Sequence, residues 1–177
     1  MTATRWRVPW GYVAGLLLLV LADPTPFTIA AGIPLVLLGE MIRIVANGSL
    51  VKDKKLTTWG LYAHIRHPLY LGSALIAAGF IIMAWSIYLA CIMAVLFIAV
   101  YLRTIRREEE KMEELFGVEY LDWTVDVPRF IPRRWAPREI ADNFILERAW
   151  ANREQKAVLG VIGAVVILYL KYLIVGG

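Results

Sequence analysis

Both histidines of the chain fall in one short stretch, HIRHPLYLG, His64–Gly72, beside an arginine and ahead of a proline and a tyrosine. A guanidinium and an imidazole can hold an anion, and an imidazole can also bind a metal or move a proton. Pro68 suits the first position of a helix, and its presence leaves the preceding N–H groups free to meet an anion at the helix N-terminus. Tyr70, one turn on from His67, offers a ring to pack on a planar group or a hydroxyl to donate. As a metal pair, His64 and His67 lack a clustered third ligand. The single cysteine, Cys91, lies in an apolar run and reads as a small core residue; one cysteine allows no disulfide within the chain.

A second charged stretch, REEEKMEELFGVEYLDWTVDVPRFIPRR, covers Arg107–Arg134. Its acidic half is built from good helix formers. Gly117 can end that helix, and Pro128 and Pro132 impose an extended loop. Alone, the acidic run reads as the solvated end of a helix.

The elements that must position these residues are apolar. The chain has 177 residues, of which 59% are hydrophobic and 19% charged, with a mean hydropathy of +0.60. Ordinary soluble domains carry about a quarter charged residues, so the expected class is an all-α integral membrane protein of one domain, 1–177. Five spans are expected, at about 8–22, 27–46, 69–84, 87–104 and 157–175. The uncharged run from Leu69 to Leu102 would make a helix of roughly 50 Å against a hydrocarbon core of about 30 Å, so it is read as two spans meeting at Trp85-Ser86. The first run, after Arg5 and Arg7, lacks the small-residue site that follows a cleaved leader and is read as a retained helix. Glu40 and Arg43 share a helix face and are expected to pair.

With five spans, 17 of the 19 basic residues fall on one side, and the turns on the other side hold none. The positive-inside rule then puts the N-terminus, the 47–68 loop and the 103–156 region in the cytoplasm, with the C-terminus opposite. Residues 105–135 are the expected cytoplasmic catalytic segment. Residues 138–156, with Ile140, Phe144, Ile145, Ala149 and Trp150 at helical spacing, are expected to form an interfacial helix. No strand precedes a Gly-x-Gly-x-x-Gly, so no Rossmann site is expected. Gly160 and Gly163 read as helix-packing positions. Nothing in the pattern points to nucleic acid.

Taken together, RHPLYLG at the start of one span and EEEKMEELFGVEY…VPRFIP after the next resemble the isoprenylcysteine carboxyl methyltransferase family over roughly residues 56–134. Counting back from Tyr120, the family's glutamate pair falls on Glu108 and Glu109. Phe116 and Gly117 match, Met112 stands for a leucine, and Trp123 stands for a second tyrosine. The resemblance implies a membrane enzyme that uses S-adenosylmethionine, with Arg66, His67, Leu69, Tyr70, Glu108, Glu109 and Tyr120 toward the cofactor. Arg106, Glu109 and Arg129 are the implied catalytic residues. It also implies an amphiphilic or lipid-like acceptor reached through the membrane, most like a prenylcysteine α-carboxylate. A phospholipid amine, a small thiol and a sterol-type NADPH reductase are the alternatives.

Overall fold

The structure, a computed structural model, describes residues 20–52, 54–134 and 136–175. Among them every regular element is helical: α1 Pro26–Ser49, α2 Pro68–Ala84, α3 Ile87–Phe116, α4 Val118–Asp126, α5 Leu146–Ala151 and α6 Glu154–Val175, with 3-10 turns at Gly60–Ala63 and Pro137–Glu139. Three of these, α1, α3 and α6, are long and apolar enough to cross a membrane. The first expected span lies outside the described residues except for its end. α2 has 17 residues, a length of about 25 Å at 1.5 Å per residue.

α1 and α2 are antiparallel and share the largest helix interface. Thr25 caps α1 by accepting from the Thr28 N–H at 3.1 Å, and the Thr28 hydroxyl donates to the Met83 carbonyl at 3.2 Å, tying the start of α1 to the end of α2. Glycines meet across the pair. A Cβ on Gly39 would come within 2.5 Å of the Gly72 carbonyl oxygen, and one on Gly32 equally close to that of Gly79. Only hydrogen fits where the backbones approach this closely. At one end of the bundle Val36, Met83, Ala84, Leu89 and Leu168 form a buried core. At the other, Ala46, Leu61 and Tyr62 do so, with Leu69, Trp123 and Ile140 against them.

The expected break at Trp85-Ser86 is present: Trp85 adopts φ 47, and the Ser86 side chain caps α3. α3 continues well past the expected Thr104 to Phe116. Its 30 residues span about 45 Å, so its charged end projects beyond a core of about 30 Å.

Two expectations are corrected. Residues 138–156 are not one helix. Only Leu146–Ala151 is α-helical, Asn143 and Arg153 have positive φ, and α6 begins at Glu154. The segment is drawn out of helix by the end of α1: the Ile145 N–H donates to the Gly48 carbonyl, Arg148 donates to Gly48 and Ser49, and Asn152 to Asn47 and Leu50. These contacts satisfy carbonyls that a helix end leaves without partners. Nor does Arg43 take Glu40 as its hydrogen-bonded partner. Its guanidinium meets Glu154 in a two-pronged contact at 2.8 and 3.0 Å, Asn47 donates to the same carboxylate at 2.6 Å, and Arg43 reaches Ser73 at 2.7 Å. The planar fork matches a carboxylate on a facing helix better than one three residues back on its own.

Candidate functional site

The site is built where the N-terminus of α2 meets the charged end of α3. His67 is the residue before α2, and Pro68 occupies its first turn. On α3, Tyr101, Ile105 and Glu109 follow at intervals of four and share a face. α4, entered through Gly117 with φ 52, turns the chain back and delivers the segment that carries Pro128 and Arg129.

That segment pairs with the approach to α2. The Arg66 N–H donates to the Pro128 carbonyl at 2.8 Å and the His67 N–H to the Arg129 carbonyl at 3.1 Å. These are the N–H groups expected to be free for an anion; the proline segment occupies them instead, because a buried backbone donor needs an acceptor.

Four donors converge on Glu109. Its Oε1 accepts from Arg66 Nη1 at 3.2 Å, His67 Nε2 at 3.1 Å and Arg129 Nε at 3.0 Å. Its Oε2 accepts from Arg129 Nη2 at 2.7 Å. The Arg66, His67 and Glu109 side chains are largely shielded, whereas that of Arg129 is 55% exposed. Burial holds His67 below the ordinary imidazole value, although the hydrogen bond to Glu109 pulls the other way. The ring is therefore neutral at pH 7, and Nε2 carries the proton it donates. Tyr120, buried on α4, lies beside Arg66. Burial first, then the Glu109 charge, pushes its hydroxyl upward, and Arg66 opposes the shift.

The remaining expected residues are placed differently. Tyr70 is buried, edge-on to Tyr101 with ring centroids 5.1 Å apart and 5.7 Å from the His67 ring. Leu69 turns into the core beside Ala46 and Tyr62. Arg106 and Glu108 are exposed on α3, outside the cluster. Glu108 bears instead on Tyr62, whose hydroxyl is pushed up by burial and secondarily by that charge. His64 lines a separate cleft of about 540 Å³ with Asp126, Arg133 and Arg134. Among the described residues no group of three or more His, Cys, Asp or Glu could hold a metal ion. Sequence reasoning missed Phe130, whose ring is 5.9 Å from that of His67, and Tyr101. Its place eight residues, two intervals of four, before Glu109 was the available signal for Tyr101.

Residues 10–119 match the phospholipid methyltransferase family. The chain belongs to that family. Among curated members and relatives, it is similar to protein-S-isoprenylcysteine O-methyltransferase B of Arabidopsis thaliana, 30% identical over 113 residues, covering 57% of each chain. It is also similar to the nickel-cobalt-cadmium resistance protein NccN of Alcaligenes xylosoxydans xylosoxydans, 37% identical over 82 residues, 46% of this chain and 38% of that one. The matches thus span little more than half of the first relative's length and less than half of the second's. No solved structure matches. Within the family match lie the α2 approach and Glu109, while Tyr120 and Arg129 follow just beyond it.

Proposed function

We propose that the chain transfers a methyl group from S-adenosylmethionine to an amphiphilic acceptor at the Arg66–His67–Glu109–Arg129 cluster, most readily to a carboxylate of the prenylcysteine kind. The observation that carries this reading is the meeting of two guanidiniums and an imidazole on one carboxylate, at the end of a long apolar helix in a methyltransferase family.

The donor set fits the cofactor. Arg66 Nε and Trp123 Nε1 are buried without hydrogen-bond partners, and buried donors of this kind are normally satisfied. Arg66 and His67 suit the α-carboxylate, Glu109 suits the ammonium or the ribose diol, and Tyr70 and Tyr120 suit the adenine end. When bound, the cofactor supplies an electrophilic methyl on a sulfonium. The residues then have to align the two reactants and exclude water, because the displacement is in line and gains most from positioning. Arg129, 55% exposed, is open to solvent where another anion could replace Glu109, and in this reading it orients the acceptor's carboxylate.

Glu109 bears on which acceptor fits. An amine or thiol must lose a proton to a base within reach. With four donors on its two oxygens, Glu109 is poorly basic. A carboxylate acceptor needs no base. A phospholipid amine is the second reading, and the family's description favours it.

In this reading residues 1–177 form one five-span membrane domain. The N-terminus, the 47–68 loop and the 103–156 region are cytoplasmic, and the C-terminus lies opposite. The test is calorimetric titration of the detergent-solubilised protein with S-adenosylhomocysteine, with NADPH in parallel, followed by methylation of N-acetyl-S-farnesylcysteine and of phosphatidylethanolamine. Saturable binding of S-adenosylhomocysteine, weakened at least about tenfold (1.4 kcal/mol) by Glu109→Ala, is expected. Binding of NADPH alone, or an affinity indifferent to Glu109→Ala, overturns the reading.

A further inference from the structure

A second charged cluster lies away from Glu109, between α1, α2 and α6. Glu40, Arg43 and Asn47 follow at helical spacing on α1. The Glu154 carboxylate, at the first residue of α6, collects the donors: Arg43 Nε on one oxygen, and Arg43 Nη2 and Asn47 Nδ2 on the other. Arg43 Nη1 goes to Ser73 on α2. Glu40 receives none of them. It is 8% exposed, and both its carboxyl oxygens are buried without a hydrogen-bond donor. Its side chain faces that of Glu154 within hydrogen-bonding reach. Glu40 precedes Ser49, the end of α1, by nine residues, about 14 Å along the axis. Ionisable side chains set this far into an apolar span are costly and are kept with partners. The other ionisable group that Glu154 bears on is Tyr62, from the turn Gly60–Ala63. On α2, Tyr70 stands at the other cluster, beside His67, and on α5, Arg148 is spent on the Gly48 and Ser49 carbonyls.

We propose that Glu40 and Glu154 bind one proton between them, carried by Glu40. Two carboxylates and one guanidinium would leave a negative charge uncompensated in an apolar setting, and a stranded buried charge is costly. Two ionised carboxyl groups are acceptors only, so a hydrogen between them has to come from one of the two. Such a proton belongs to the pair, and the donors decide its seat. Glu154 already accepts three hydrogen bonds, the pattern of a carboxylate, whereas Glu40 accepts none and is the one with an O–H to give. Ionised, Glu40 would compete with Glu154 for Arg43, its neighbour three residues on along the same helix. As an acid it leaves the guanidinium on Glu154 and adds a second tie between α1 and α6. The cluster and its proton stand apart from the methyl-transfer site.

The test is infrared difference spectroscopy of the full-length protein in detergent near neutral pH, comparing the wild type with Glu40→Gln and Glu40→Met. Glu40→Gln keeps the shape and an N–H to donate. Glu40→Met removes the need for a proton and serves if the amide variant fails to fold. Either variant should lose the carbonyl stretch of a neutral carboxylic acid that the wild type shows, with the carboxylate bands unchanged. Loss of carboxylate absorption in its place means an ionised Glu40 and overturns the proposal. A sodium ion could supply the same single charge, so melting temperatures are also compared in sodium chloride and in choline chloride. The wild type should melt at the same temperature in both. A sodium-specific rise in the wild type, absent from the Glu40 variants, overturns the proton and makes the pair a sodium site.

Discussion

Glu109 and Arg129 hold each other through two hydrogen bonds, yet the two residues differ in what their loss should do. Arg129 is more than half exposed, whereas Glu109 is shielded and also serves Arg66 and His67. Exposed ion pairs contribute about 0–1 kcal/mol, and hydrogen bonds to buried charges about 1.5–3 kcal/mol. Arg129→Ala should therefore leave the unfolding midpoint in detergent nearly unchanged while reducing methyl transfer. Glu109→Gln should lower stability by about 2 kcal/mol, and equal losses for the two variants would contradict this assignment. His67 supplies a pH dependence. Its folded pKa lies below the ordinary imidazole value of 6.5, so the unfolded chain takes up a proton first as pH falls. Its contribution to stability is intact above about pH 6.5 and is lost as pH falls from there through the lower folded value. Thermal unfolding followed from about pH 7.5 to about pH 5 should show this loss in the wild type and less of it in His67→Gln. The sequence drew attention to His67 and Arg129, but could not choose between Glu108 and Glu109. Adjacent helix residues lie 100° apart, and only the direction from which α2 approaches selects one.

At the scale of elements, two devices hold the helices that carry the site. The first is the glycine contact between α1 and α2. A methyl group on Gly39 would meet the Gly72 carbonyl at 2.5 Å and Ile76 at 2.8 Å. Gly39→Ala should force the helices apart and lower stability by about 1–3 kcal/mol, as overpacking does, read as a drop in melting temperature in detergent. The second is Arg43–Glu154, joining α1 to the first turn of α6. Removing one partner of a shielded pair strands the other, at about 3–5 kcal/mol. The Arg43→Met, Glu154→Met double variant should then be more stable than either single variant, and a double-mutant cycle measures the difference. The boundary near Trp85 and the helix start at Pro68 were legible because serine capping and proline at a first turn act locally. The irregular path of residues 140–153 was not. Its helical spacing of apolar residues was overridden by carbonyls at the end of α1, about a hundred positions away in the chain.

For the molecule as a whole, the distribution of basic residues predicts a single arrangement across the bilayer. In a Cys91→Ser background, Lys54→Cys and Arg107→Cys should react with an impermeant maleimide from the same side, and Ser86→Cys from the other. Labelling of all three from one side would refute five spans. The class of fold was legible because apolar length is a property of composition. The closure of the site was not, since it depends on how a segment beyond α4 returns to the residues before α2. That return has one more consequence. Gly117, with φ 52 and nothing near its α-hydrogens, separates the helices that carry Arg66, His67 and Glu109 from the segment that carries Arg129. A protein made as two pieces, divided after Gly117, would keep every non-covalent tie between them: backbone pairing at 66–67 with 128–129, the Arg129 fork and the Arg43–Glu154 bridge. Co-expressed halves should assemble into a working unit, and neither half should work alone.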